Sequence, residues 1–136
     1  MTAGSYDAVV DNDEVQRTLC HRFLDAVERN DLISVAECFA PDAQLWFNVT
    51  GEVRTVDETV ERLRQGATLH RRRTYDDRLI DTFDDGFLAR FTVRVVRHDG
   101  SANALWAALV AQTRNGLITH LWEYLDSSRF SGQVRT

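Results

Sequence analysis

The chain has 136 residues, 43% of them hydrophobic and 10% aromatic, which describes one globular domain with a real core and excludes a disordered chain. Its net charge of −5 argues against duplex nucleic acid and anionic membrane as partners, both of which favour a basic surface. All sixteen basic residues are arginine, so their charge persists at any working pH.

The start, Met1 to Asp7, has neither the basic opening nor the apolar run of a signal peptide, and no apolar run reaches bilayer length; the cytoplasm is the expected location. Residues 1–12 and 128–136 read as short flexible tails around a single domain at 13–127.

The first helix is expected from about Asp13 to Arg29. Asp13 and Gln16 form a capping-box pair, and Val15, Leu19, Phe23 and Val27 recur on one stripe. Asn30 or Asp31 caps a second, short helix that buries Leu32, Val35, Ala36 and Phe39 and ends at Pro41. Cys20 and Cys38 lack metal-like spacing and read as reduced core thiols. A strand follows near Ala43 to Val49, with Leu45 and Phe47 on one face and Trp46 and Asn48 on the other. Thr55 and Glu58 then open a third helix with Val60, Leu63 and Ala67 inward.

From Arg73 the apolar period changes from 3.6 to 2. Asp84-Asp85-Gly86, His98-Asp99-Gly100 and Arg114-Asn115-Gly116 separate four strands as hairpin turns. Phe87, Ala89, Phe91, Val93 and Val95 share one face of their strand. The sum is an α+β domain with three N-terminal helices packed on a curved, mainly antiparallel sheet. Ala102 to Thr113 is apolar on both faces, and Trp106 joins His120, Trp122 and Tyr124 on the outer side. That surface predicts a homodimer through the outer sheet face.

Two candidates for chemistry stand out. Glu123 alternates with the outer aromatics and so faces the helices, provided the Arg114-Asn115-Gly116 turn is a three-residue loop that pairs Glu123 with Ala107 and Leu121 with Leu109. A two-residue loop would shift the register by one and reverse the faces. A lone acid in an apolar wall either performs proton chemistry or pairs with an arginine at the cavity mouth. The second candidate is the Arg71-Arg72-Arg73 run with Arg62 and Arg64, which suits either an anionic ligand or a solvated helix end. No zinc spacing, Walker loop, dinucleotide glycine motif or serine elbow is present, so no metal and no cofactor is expected.

A helix pair closing on Phe39-Ala40-Pro41-Asp42-Ala43, then a strand, a third helix and a meander ending in Glu123-Tyr124-Leu125-Asp126, resembles the SnoaL-like proteins of the nuclear-transport-factor-2-like superfamily. The resemblance runs from about Val15 to Asp126. It implies a cone-shaped α+β barrel holding a small hydrophobic molecule between sheet and helices, against Phe23, Val27, Phe39, Leu45, Phe47, Leu63, Leu105, Leu109 and Leu121. The family includes polyketide cyclases, ketosteroid isomerases, dehydratases, epoxide hydrolases and plain binding modules, so the fold does not select a reaction.

Glu123 occupies the place of the cyclases' catalytic acid, but their neighbouring histidine and polar partner read here as Leu109 and Ala107. The ketosteroid isomerase tyrosine and acids correspond to Phe23, Phe47 and about Leu109, none of which moves a proton. The dehydratase pair would correspond to Asp25 and His70, although Asp25 lies off the buried stripe and His70 suits a helix end. Arg97 and Asp99 have the spacing of an epoxide-hydrolase pair but run into a turn. The expectation is a cofactor-independent isomerase, cyclase or dehydratase with Glu123, Asp25 and His70 as candidate catalytic groups. The alternative is a non-catalytic ligand-binding module or dimeric adaptor.

Overall fold

A computed structural model describes residues 11–126. The chain forms helix α1 (Asn12–Glu28), helix α2 (Leu32–Glu37), strand β1 (Phe39–Phe47), strand β2 (Val53–Arg54) and helix α3 (Val56–Gly66). Strands β3 (Arg72–Phe83), β4 (Gly86–Val96), β5 (Ala102–Arg114) and β6 (Leu117–Leu125) follow. Of the predicted tails at 1–12 and 128–136, residues 1–10 and 128–136 lie outside the described residues, whereas Asp11 and Asn12 belong to the start of α1.

Helix α1 begins two residues earlier than the capping-box reading. Asp11, not Asp13, is its N-cap and accepts the Asp13 backbone N–H at 3.0 Å. Asp13 is thereby free to pair with Arg17 at 2.9 Å and to accept from Thr82 on β3. Gln16 is buried and exchanges bonds of 2.8 and 3.1 Å with the Thr113 hydroxyl, tying α1 across the sheet to β5. Leu19, Phe23 and Val27 are buried as their stripe requires.

Asp31 caps α2, accepting from Ser34 N at 3.2 Å and Ser34 Oγ at 2.7 Å. The helix stops at Glu37, so Phe39 opens β1 instead of closing α2. Proline biases the residue before it toward extended backbone. Pro41 therefore sits inside the strand, where the β1–β6 register breaks between Phe39 and Gln44 and no ladder N–H is needed. Thr55 and Glu58 form the expected capping box at α3. Cys20 and Cys38 are buried thiols.

The sheet has six strands in the order β2-β1-β6-β5-β4-β3, with β1 parallel to β6 and all other pairs antiparallel. The two-residue strand β2 was not legible in the sequence. The last strand is thus central. Its far end is pinned to β1 by Asn48, whose side chain bonds both Leu125 N (2.9 Å) and Leu125 O (3.1 Å).

The β5–β6 hairpin corrects the expected turn. Arg114 faces Leu117 across a two-residue loop in which Asn115 (φ 53°) and Gly116 (φ 76°) are both left-handed. By itself this loop would put Glu123 opposite Ala108 on the outer face. A bulge intervenes: Thr113 pairs with Ile118 and Gln112 with His120, leaving Thr119 unpaired with its hydroxyl on Gln112 O at 3.2 Å. One extra residue reverses every side chain beyond it. Glu123 consequently pairs with Leu109, Leu121 with Ala111, and both face inward. The predicted face holds, by a different register.

Candidate functional site

A cavity of about 590 Å³ lies between the concave sheet face and the helices. Of the expected wall, Phe23, Val27, Leu45, Phe47, Leu63, Leu105 and Leu121 line it. Phe39 and Leu109 do not. Phe39 packs edge-on against Phe23 at 5.4 Å in the core, and Leu109 is fully enclosed although it is in register with Glu123. Val49 and Leu69, both largely exposed, mark the cavity's opening.

Glu123 projects into this cavity from the central strand, flanked by Phe47 on β1 and Leu109 on β5. Burial pushes its carboxyl above the ordinary value of 4.5, while the charges of Arg73 and then Arg54 pull it back. Neither arginine forms an ion pair with it within 4.0 Å. The arginine-paired arrangement weighed from sequence is therefore present only as a field, not as a contact.

Both arginines come from the sheet's opposite edges. Arg54 lies on β2, opposite Leu45, with its guanidinium over the Phe47 ring at 4.8 Å and a 3.1 Å ion pair to Glu52. Arg73 lies on β3, opposite Val95, with its guanidinium 5.7 Å from the Tyr75 ring centre. Tyr75 also lines the cavity, and its hydroxyl is pushed up to about 12, first by burial and then by the charges of Glu123 and Glu28, against Arg73. It is a proton donor at any working pH.

Sequence reasoning missed Arg54 and Tyr75 and grouped Arg73 with Arg71 and Arg72 in one basic run, suited to either an anionic ligand or a solvated helix end. Arg71 and Arg72 are exposed, but strand alternation turns Arg73 and Tyr75 inward, opposite the buried-face residues Val95 and Val93. That parity was the available signal. Arg54 had none, because a two-residue strand carries no pattern.

Asp25 and His70 are not brought together. Asp25 is held by Arg78 at 2.9 Å and is absent from the cavity wall. The cause is a bulge in β3: Asp77 takes φ 55°, and Arg78 turns onto α1, where it also meets Glu28 (3.4 Å) and His21 Nδ1 (2.9 Å). His70 does line the cavity. Burial, with Arg73, His98 and Arg97, holds its pKa below the ordinary 6.5 and so favours the neutral imidazole. Arg97 lines the cavity too, but Asp99 is spent in the turn, bonding Ser101 N at 2.9 Å. Among the described residues no group of three or more His, Cys, Asp or Glu could hold a metal ion.

The raised carboxyl of Glu123 has a stability consequence. Between about pH 4.5 and its folded-state value, the folded protein keeps a proton that the unfolded chain has released, so stability falls as pH rises through that window. Glu123→Gln removes this penalty. The variant is expected to melt above wild type at pH 8, with the gap closing toward pH 4; a gap independent of pH in calorimetric scans would contradict the assignment.

The comparisons with known proteins agree with this geometry. A candidate polyketide cyclase from Xanthomonas campestris pv. campestris superposes with a TM-score of 0.82 at 20% identity, covering 91% of this chain and 99% of that one. IdmH, a candidate polyketide cyclase from Streptomyces antibioticus, gives 0.80 at 17% identity over 89% and 99% of the two chains. A protein of ketosteroid isomerase-like fold from Catenulispora acidiphila, solved with trimethylamine, gives 0.76 at 14% identity over 85% and 90%. At these identities the likeness establishes the fold. No curated protein matches the sequence. The SnoaL-like domain family matches residues 20–121, three quarters of the chain. This protein therefore belongs to the SnoaL-like domain family, within the nuclear-transport-factor-2-like superfamily.

Proposed function

We propose that the protein is a cofactor-independent acid/base enzyme acting on a small, largely apolar carbonyl compound of polyketide, terpenoid or steroid-like character. Glu123 would take a proton from the carbon beside the carbonyl, and the Tyr75 hydroxyl would hydrogen-bond the oxygen on which charge develops. Return of that proton to another atom gives an isomerisation; attack of the enolate on a second carbonyl gives a cyclisation; loss of a β-hydroxyl gives a dehydration.

The observation that carries this reading is Glu123 itself, a carboxyl raised by burial, without an ion pair among the described residues and open to a ligand-sized cavity. The matching family and the polyketide cyclases among its structural neighbours support it. The test is α-proton exchange into a β-diketone in D₂O, with Glu123→Gln as the control. The competing reading is a non-catalytic binding module, favoured by Leu109 and Ala107 where cyclases carry polar partners for the acid. That module would bind ligand yet catalyse no exchange in either protein.

Two further parts of the proposal concern assembly and place. Trp106 (61% exposed) and Tyr124 (45% exposed) form an apolar outer face with Trp46 and the stacked His120–Trp122 pair. A homodimer through that face would have twice the 15.6 kDa chain mass by light scattering, and Trp106→Arg would shift it to monomer. A monomeric wild type would refute the interface. No helix among the described residues is long and apolar enough to cross a membrane, and a cytoplasmic location fits the two buried thiols.

A further inference from the structure

The cavity's charges are unbalanced. Glu123 is the one acid among the described lining residues, against Arg54, Arg62 and Arg73. Glu52 accounts for part of this, at 3.1 Å from Arg54 and 3.8 Å from Arg62. Among the described residues Arg73 has no ion-pair partner within 4.0 Å.

Arg54 and Arg73 share a second property. Among the described residues, the Nε–H of each is buried with no hydrogen-bond partner. A buried donor left unmade is costly, and retained examples call for a missing acceptor. Each guanidinium is laid on an aromatic ring, which fixes its plane and leaves its edge available for in-plane bonds to a carboxylate. Glu123 is not that acceptor, since it stands beyond ion-pair distance of both. These arginines stand on the two outermost strands, on either side of the central one, yet line one cavity and both act on Glu123. The surrounding wall is mostly apolar, with Phe23, Leu121 and Val93 among its residues.

We infer that the cavity's ligand is an organic acid with an apolar or aromatic body, whose carboxylate is held between Arg54 and Arg73. This rests on the reading of the cavity as a ligand site and deepens it: the two arginines are binding residues that orient the substrate, leaving Glu123 to face its carbon skeleton. A carboxylate makes charge-assisted bonds that a neutral isostere cannot, so the preference is large.

The test uses two probes of one shape, 2-naphthoate and methyl 2-naphthoate, titrated calorimetrically at pH 7.5 into wild type, Arg73→Gln and Arg54→Gln. Wild type is expected to bind the acid at least about tenfold more tightly than the ester, and each substitution to weaken the acid about tenfold. Ester affinity, unchanged within about twofold, reports that the cavity of each variant is intact. An ester bound as tightly as the acid by wild type, or an acid affinity indifferent to both substitutions, would overturn the inference while leaving the cavity's ligand-binding role standing. Failure of both probes to bind wild type would remove the two readings together.

Discussion

Glu123→Gln is expected to lower α-proton exchange by at least about 100-fold, the lower bound for losing a positioned general base. The amide keeps the size and hydrogen-bonding reach of the acid but cannot accept the proton. Binding of an apolar ligand should stay within about threefold, because the cavity walls are supplied by other side chains. The wild-type rate should rise with pH through a pKa above the ordinary carboxyl value of 4.5, because the burial that disfavours the carboxylate also makes it a stronger base. Exchange at the wild-type rate in the variant would place the chemistry elsewhere. His70, on the same wall and with its imidazole biased toward the neutral form, would then be the first group to examine.

Inserting one alanine between Thr119 and His120 is expected to destabilise the fold by about 3 kcal/mol or more, against at most about 1 kcal/mol for Thr119→Ala, which loses only the hydroxyl bond to Gln112 O. Parity is the cause. Gln112 opposes His120 because Thr119 alone stands outside the ladder; with a second extra residue, either the one-residue bulge holds and residues 120–125 reverse, or two residues must leave the ladder. Reversal expels Leu121, worth about 1.5–3 kcal/mol when fully buried, with the partly buried Leu125, and drives Trp122 and Tyr124 into the core. The melting temperature should fall by about 10 °C or more. The insertion should also abolish the raised Glu123 titration, seen by ¹³C-carboxyl NMR. An insertion variant with wild-type melting and an unchanged titration would refute the role given to the bulge.

The elements were legible where local chemistry defines them. The Thr55–Glu58 box starts α3 where expected, the three glycine turns separate the strands of the meander, and Phe87 to Val95 alternate in burial along β4. Local chemistry also set the limits. Asp11 and Asp13 are equally good caps by composition, and the choice fell to Asp11 because Asp13 has Arg17 and Thr82 to bond. Phe39 fits a helical stripe, but Pro41 extended the backbone before it and gave that residue to β1.

The candidate site divides in the same way. Glu123, its inward face and most of the apolar wall followed from alternation within single strands and helices. Asp25 and His70 were linked by resemblance alone, and the β3 bulge at Asp77 separated them by giving Asp25 to Arg78. The arginines needed the assembled sheet, since Arg54 and Arg73 stand 19 positions apart in sequence and on opposite edges of six strands. The amino-acid order by itself determined the α+β class, the sequence of elements and the acid's apolar surroundings, because periodicity and turn residues act over a few residues. Only tertiary structure decided the bulge that aims Glu123, the parallel β1–β6 pairing beside it and the convergence of two arginines on its cavity. Those depend on register and sheet curvature, which are set by contacts between distant segments and leave no local period to read.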